Sequence, residues 1–150
     1  MTAMTIQEVS RRSGLSEPTL RYYEEVGLVG PVGRDDRSGH RRYGDADLDV
    51  LQALACLRAL GMGIEDMRTY QANRRRKGRA VAAEQRDLLA RHSMRIEAEI
   101  AALHSRLDYL REKASLWDAR VTGDAEAEAA AQKRVHAALD RMDTETEIKR

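Results

Sequence analysis

The residues best able to do chemistry in this chain are cationic and hydrogen-bonding, not nucleophilic. Thr19, Arg21 and Tyr22 stand together, three residues after Ser16, and a second group follows with Arg34, Arg37, Arg41, Arg42 and Tyr43. A guanidinium can fork onto a guanine edge or hold a phosphate, a tyrosine hydroxyl can meet a phosphate oxygen, and threonine can touch either a methyl group or a phosphate. Only Asp35 and Asp36 oppose the second group. Each residue alone also fits a plainer role: Tyr22 and Tyr23 as half-buried packing, the arginines as solubilisers of a loop. Taken together they imply binding to double-stranded DNA, with Ser16, Thr19, Arg21, Tyr22, Arg37, Arg41, Arg42 and Tyr43 as the expected contact set.

Catalysis is disfavoured. His40, His92, His104 and His136 have no spacing that pairs them on one helix face, and there is no phosphate-cradling glycine loop, His-Glu-x-x-His run or nucleophile elbow. The acids alternate with basic residues, as in Arg95-Ile96-Glu97 and Arg111-Glu112-Lys113, which suits solvated helix faces. Neither an enzyme nor a cofactor is expected.

The elements that must position the cationic groups are short and punctuated. Ile6 and Val9 open a brief helix stopped at Gly14; Ser16 is a suitable N-cap for a second, with Pro18 in its first turn, running to about Val26 and Gly27. Two helices joined by Gly-Leu-Ser have helix-turn-helix spacing. Leu28-Val29 and Arg41-Arg42-Tyr43, flanking a polar loop, are expected to be the two extended pieces of a β-wing. From about residue 45 the chain turns helical again through Leu48, Leu51 and Ala55, breaks at Gly61-Met62-Gly63, and resumes at Ile64, Met67 and Tyr70. A basic cluster, Arg74 to Lys77 with Arg79, follows; it suits a solvated helix end somewhat better than a contact with phosphates.

Beyond it lies the most regular pattern in the chain. Ile96, Ile100, Leu103, Leu107, Leu110, Ala114, Trp117 and Val121 are spaced 4-3-4-3-4-3-4, and Leu89 extends the frame backward. Apolar residues every 3.5 positions demand a partner helix, and the stripe from Leu89 to Val121 would run roughly 50 Å at ~1.5 Å per residue. No other expected helix is long enough to cover it, so a homodimer is expected, zipped through Ile96, Ile100, Leu103, Leu107, Leu110 and Trp117. Residues 124–142 suit one more helix and 143–150 a frayed end. The expected architecture is mainly α: a winged helix-turn-helix DNA-binding domain over 4–77, a coiled-coil dimerisation helix over 78–121, and a short C-terminal helix or tail over 122–150.

Composition sets outer bounds. The 150 residues are 42% hydrophobic and 34% charged but only 4% aromatic, and two prolines and ten glycines leave long stretches without breakers, against an all-β fold. With a formal charge of +1, charge distribution and not net charge must indicate a polyanionic partner. The single Cys56 excludes an internal disulfide framework and a multi-thiolate metal site within one chain. No stretch approaches the roughly 18 apolar residues of a membrane span, and a cytoplasmic protein with no membrane partner is expected.

Residues 5–70 resemble the DNA-binding domain of MerR-family transcription regulators. The matching run is Ile6-Gln7-Glu8-Val9, Gly14-Leu15-Ser16, Thr19-Leu20-Arg21-Tyr22-Tyr23-Glu24 and Gly27-Leu28, then Gly39-His40-Arg41-Arg42-Tyr43, Asp47-Leu48 and Leu60-Gly61-Met62. The resemblance implies a dimer that binds a palindromic promoter with an overlong spacer and distorts it so that RNA polymerase can use both promoter elements. By position, Arg21, Tyr22, Arg41 and Tyr43 match the family's DNA contacts. His40 replaces the aromatic usual before Arg41, and Gly63 replaces a common serine cap.

The effector is less legible. Metal-sensing members carry cysteines near the end of the long helix, which this chain lacks; drug-sensing members carry a large C-terminal domain, whereas only about 28 residues follow Thr122. Leu54-Ala55-Cys56-Leu57-Arg58-Ala59-Leu60-Gly61-Met62 resembles the third helix of a thiol-bearing subgroup that responds to aldehydes and other electrophiles, and Lys113 with Trp117 resembles its C-terminal ending. That resemblance implies an electrophile sensed at Cys56. A lone cysteine on an apolar helix face is equally a small core hydrophobe, so both roles stay open. A drug or metabolite bound between helices of the dimer, without thiol chemistry, is the alternative; an excisionase-like DNA bender without an effector is a more distant one, since it would have no need of the long seam.

Overall fold

The computed structural model describes residues 3–148, with side chains through residue 144. Two compact units divide the chain, residues 1–92 and 93–150, with one long helix belonging to both.

In the first unit, helix α1 (Ile6–Ser13) is capped by Thr5, whose hydroxyl accepts the Glu8 N–H at 3.3 Å, and ends at Gly14, φ 77°, in the left-handed region. Helix α2 (Glu17–Glu25) starts from Ser16 as N-cap, and Gly27 (φ 75°) ends it: the Leu28 N–H donates to the Tyr23 carbonyl at 2.9 Å and the Gly27 N–H to Glu24 at 3.1 Å. Those two bonds are a Schellman closure. They also correct the expected position of the first wing strand. Leu28 and Val29 belong to this closure, with both side chains buried and the Val29 N–H also directed at Tyr23. The first strand, β1, lies further on at Gly33–Arg34 and pairs antiparallel with β2 (Arg41–Arg42), Gly33 opposite Arg42 and Arg34 opposite Arg41.

Helix α3 (Asp45–Ala59) turns Leu48, Leu51, Leu54 and Leu57 inward, and its N-terminus is tied by the Gly44 N–H donating to the Asp47 carboxylate at 2.9 Å. Helix α4 (Ile64–Arg74) adds Met67. Val9, Leu20, Tyr43, Leu51 and Leu54 form the driest part of the core. The long helix α5 (Arg79–Thr122) joins this unit through its first turns: Leu88 is buried, the Gln85 amide donates to the Tyr70 carbonyl at 3.1 Å, and His92 Nε2 meets Asp66 at 2.9 Å. The first compact unit therefore runs to His92, beyond the boundary at 77 that the sequence suggests, because these contacts anchor the start of α5 on α4.

In the second unit the rest of α5 turns back at Gly123 (φ 72°) into α6 (Ala125–Ile148). The end expected to fray from 143 is helical to Ile148; residues 149 and 150 lie outside the described residues. Leu116, Ala131 and Val135 are buried between the two helices with Tyr109 beside them, and Arg134–Glu112 at 2.7 Å and Arg120–Glu128 at 2.8 Å flank the seam. The α5 face buried here is Ala102, Ser105, Leu116 and Ala119, adjacent to the heptad stripe and not the stripe itself. Ile100, Leu103, Leu107, Leu110 and Trp117 remain 41–64% exposed, while Ile96 is half-buried.

The tip of the β1–β2 hairpin is organised by one carboxylate. Asp35 accepts the backbone N–H of Ser38 at 2.9 Å and of Arg37 at 3.0 Å, and the Ser38 hydroxyl at 3.1 Å. These bonds favour the ionised form and hold its pKa below the ordinary 3.8. A depressed folded-state pKa means that the order contributed by Asp35 is complete above the ordinary value and is lost only as pH falls through the lowered one. We expect the Asp35 side-chain carbon, followed by NMR, to titrate below pH 3.8 and the Ser38 amide to lose exchange protection in the same window; a midpoint at or above 3.8 would refute the turn described here.

Candidate nucleic-acid interface

The exposed face of α2 is the centre of the site. Leu20 and Tyr23 point into the core, which by helical periodicity turns Arg21 and Tyr22 outward; Tyr22 is 47% exposed. Ser16 is exposed at the N-terminus of α2, where its hydroxyl accepts the Thr19 N–H at 3.3 Å and lies 2.9 Å from the Thr19 hydroxyl. Arg21 makes a 3.3 Å contact with Glu17 one turn earlier. An exposed i,i+4 pair of this kind contributes only a few tenths of a kcal/mol, so Glu17 orients Arg21 without holding it from a stronger anion.

The wing is fastened to α2 by a better-protected pair. Arg41 Nε donates to Glu24 Oε2 at 3.1 Å, with both side chains about one-fifth exposed. This bond uses one of the five N–H donors of the guanidinium. Arg42 lies 3.6 Å from Asp35, and Arg34 Nη1 donates to the Gly39 carbonyl at 3.0 Å. Arg37 is exposed at the tip, where its backbone N–H donates to Asp35.

Arg21, Arg34, Arg41 and Arg42 line one cleft of about 330 Å³ between α2, the start of α1 and the wing, where Glu17 is the acidic residue and His40 adds an imidazole. Four guanidiniums facing one concavity focus positive potential there, which suits phosphate groups of a nucleic acid. The structure thus brings Arg21, Arg41 and Arg42 together and leaves Ser16, Thr19, Tyr22 and Arg37 on the surrounding surface.

Tyr43 differs from its expected place at the interface. It is fully buried, it exchanges backbone hydrogen bonds with Met4 at 2.8 and 2.9 Å, and its hydroxyl has no partner among the described residues. Burial pushes its phenol above the ordinary 10.0. Its role here is to anchor the base of the wing in the core, because a strand end that pairs with residue 4 must turn the tyrosine inward. Arg58, absent from the expected set, donates to the Thr19 hydroxyl at 3.3 Å from the exposed side of α3. The signal for it was slight: a basic residue one position past buried Leu57, close to the glycine that ends the helix. Cys56 is exposed as well, on a different face of α3 from Arg58, between Leu54 and Leu57 in sequence. Ala55 is only partly buried against the core, so α3 gives the thiol no place in it. Among the described residues no three His, Cys, Asp or Glu side chains cluster as a metal site would require, and no helix is long and apolar enough to cross a membrane.

Known proteins agree with this geometry. Residues 4–74 match the MerR helix-turn-helix family of regulatory proteins. The heavy metal-dependent transcription regulator 2 of Rhizobium meliloti (strain 1021) is 35% identical over 100 residues, covering 67% of each chain. An uncharacterised helix-turn-helix regulator of Haemophilus influenzae is 32% identical over 124 residues, covering 82% of this chain and 90% of its own. The crystal structure of HiNmlR, a MerR-family regulator lacking the sensor domain and bound to promoter DNA, superposes with a TM-score of 0.61 at 30% identity, covering 84% of this chain and 95% of that one. With its winged helix-turn-helix, its basic cleft and these relatives, the chain belongs to the MerR family of transcription regulators.

Proposed function

We propose that this chain acts as a homodimer that binds double-stranded promoter DNA through α2 and the wing, and distorts it for RNA polymerase in response to an effector. The observation that carries the DNA-binding part is the cleft in which Arg21, Arg34, Arg41 and Arg42 converge beside the exposed Tyr22. Arg21 reads a base edge or grips a phosphate from α2, Thr19 and Ser16 meet the backbone at the helix start, and Arg37 and Arg42 follow the flanking phosphates from the wing. Tyr43 supports the wing from beneath. The promoter-bound structure of HiNmlR supports this reading.

Homodimerisation is supported by the exposed stripe of Ile100, Leu103, Leu107, Leu110 and Trp117, extended by Ile96. A long apolar stripe at heptad spacing is stable in water only against a matching helix. Pairing through it sets two recognition helices about one DNA turn (~34 Å) or a multiple apart. An architectural DNA bender without an effector has no use for that stripe.

For the effector, the exposure of Cys56 favours an electrophile such as an aldehyde, captured by Sγ, over a drug or metabolite sensed without thiol chemistry. The second reading keeps a hydrophobic pocket between helices of the dimer.

Two outcomes are expected. Arg21→Ala weakens binding to a duplex selected from a random pool by about 1–3 kcal/mol, the worth of a bidentate base contact; unchanged affinity and sequence preference in a titration would remove Arg21 from that role. Cys56→Ser retains DNA binding but loses induction by an aldehyde or thiol-alkylating agent in a reporter strain, whereas induction at the wild-type level would rule Cys56 out as the sensor.

A further inference from the structure

A second basic concavity lies in the first unit, away from the residues assigned to DNA. The turn that closes α2 and one face of α4 enclose a cleft of about 200 Å³ lined by Gly27, Leu28, Gly30, Arg68, Gln71 and Arg75. Among the described residues, none that lines it is acidic. Arg68 crosses the turn closely enough that a Cβ on Gly27 would sit 3.7 Å from its Nη1. Its nearest carboxylate, on Glu65, is 3.8 Å away and 87% exposed, a contact too weak and too solvated to neutralise it.

The more telling feature is Gln71. The residue is 9% exposed, yet its amide nitrogen has no acceptor among the described residues. Buried polar groups in native proteins are nearly always partnered; Gln71 also lines the cleft, so a turn of its side chain would bring this unpartnered donor to an acceptor bound there. Gln71 and Arg75 also line an adjoining cleft of about 200 Å³ with Arg74, where Asp49 enters. The basic run Arg74, Arg75, Arg76, Lys77 and Arg79 raises the positive potential around both.

We propose that the Arg68–Gln71–Arg75 cleft binds a phosphate-type oxyanion. The two guanidiniums supply forked N–H donors to its oxygens, and the Gln71 amide supplies a neutral donor once its side chain turns toward the cleft. A tetrahedral oxyanion accepts from several directions at once, which suits donors arriving from two arginines and a glutamine better than a single planar carboxylate would. The anion belongs either to a free phosphate-bearing small molecule or to a phosphodiester of DNA outside the α2–wing footprint.

Inorganic phosphate is the probe for the site itself. At ~20 mM phosphate, against sodium chloride of equal ionic strength, the full chain is expected to melt at least about 2 °C higher, the scale of a weak specific ligand. Arg68→Gln/Arg75→Gln, both at surface positions, is expected to lose that shift, and Arg76→Gln, equally cationic but outside the cleft, to keep it. No shift in the parent chain, an undiminished shift in the double variant, or an equal loss in Arg76→Gln would overturn the proposal. The source of the anion is read from binding to a random-sequence duplex: a salt slope lower by roughly one in the double variant assigns the site to a DNA phosphodiester, and an unchanged slope assigns it to a free phosphate compound. The phosphate titration contains no DNA, so its failure would leave the promoter-binding reading intact.

Discussion

The constraint on which the rest depends is that α5 carries two apolar stripes and the described residues of its own chain cover only one. In the second unit α6 lies along Ala102, Ser105, Tyr109, Leu116 and Ala119, and the 112–134 and 120–128 ion pairs fix its register. The neighbouring stripe of Ile100, Leu103, Leu107, Leu110 and Trp117 is left in water. At roughly 25 cal/mol per Å² of apolar surface, several half-exposed large side chains represent a driving force of several kcal/mol for association. Only a partner helix of similar length and spacing collects all of it, and a second copy of α5 is the natural one. In the proposed dimer that pairing would bring two recognition helices to one site, since one short helix reads too few base pairs to be selective alone.

Within the reading head, stability and function are separated by helical phase. On α2, Leu20 and Tyr23 hold the helix to the core while Arg21 and Tyr22 face outward; on α3, Leu54 and Leu57 are buried while Cys56 is exposed. The wing, with two residues in each strand, would be marginal by itself. It is held instead by Tyr43 in the core, by the backbone exchange between Met4 and Tyr43, and by the Arg41–Glu24 pair. The pair that orients Arg41 therefore also links the wing to the recognition helix.

Much of this was legible from residue types. Ser16 as a cap, Gly14 and Gly27 as stops and the heptad spacing of α5 each depend on local chemistry that does not change with context. The misplaced strand had a different cause: Leu28-Val29 is apolar, with Val29 β-branched, and suits a strand, but the carbonyl of Tyr23 holds its backbone in the helix closure that Gly27 begins, so two local signals competed. Tyr43 is a different case, since its inward direction is set by pairing with Met4, distant in sequence. Arg58 near Thr19 and His92 against Asp66 are likewise tertiary contacts across 39 and 26 positions, beyond the reach of any periodicity. The stripe covered by α6 escaped notice because alanines and a serine make it faint beside the leucines of the other.

The association state of the purified chain tests the central claim most directly. Sedimentation equilibrium at micromolar concentration should return twice the 16.9 kDa chain mass for the parent protein and the single mass for Leu103→Glu/Leu110→Glu, with the helix content of the variant largely retained. A parent chain that sediments at the single mass, with or without duplex DNA, would contradict the account.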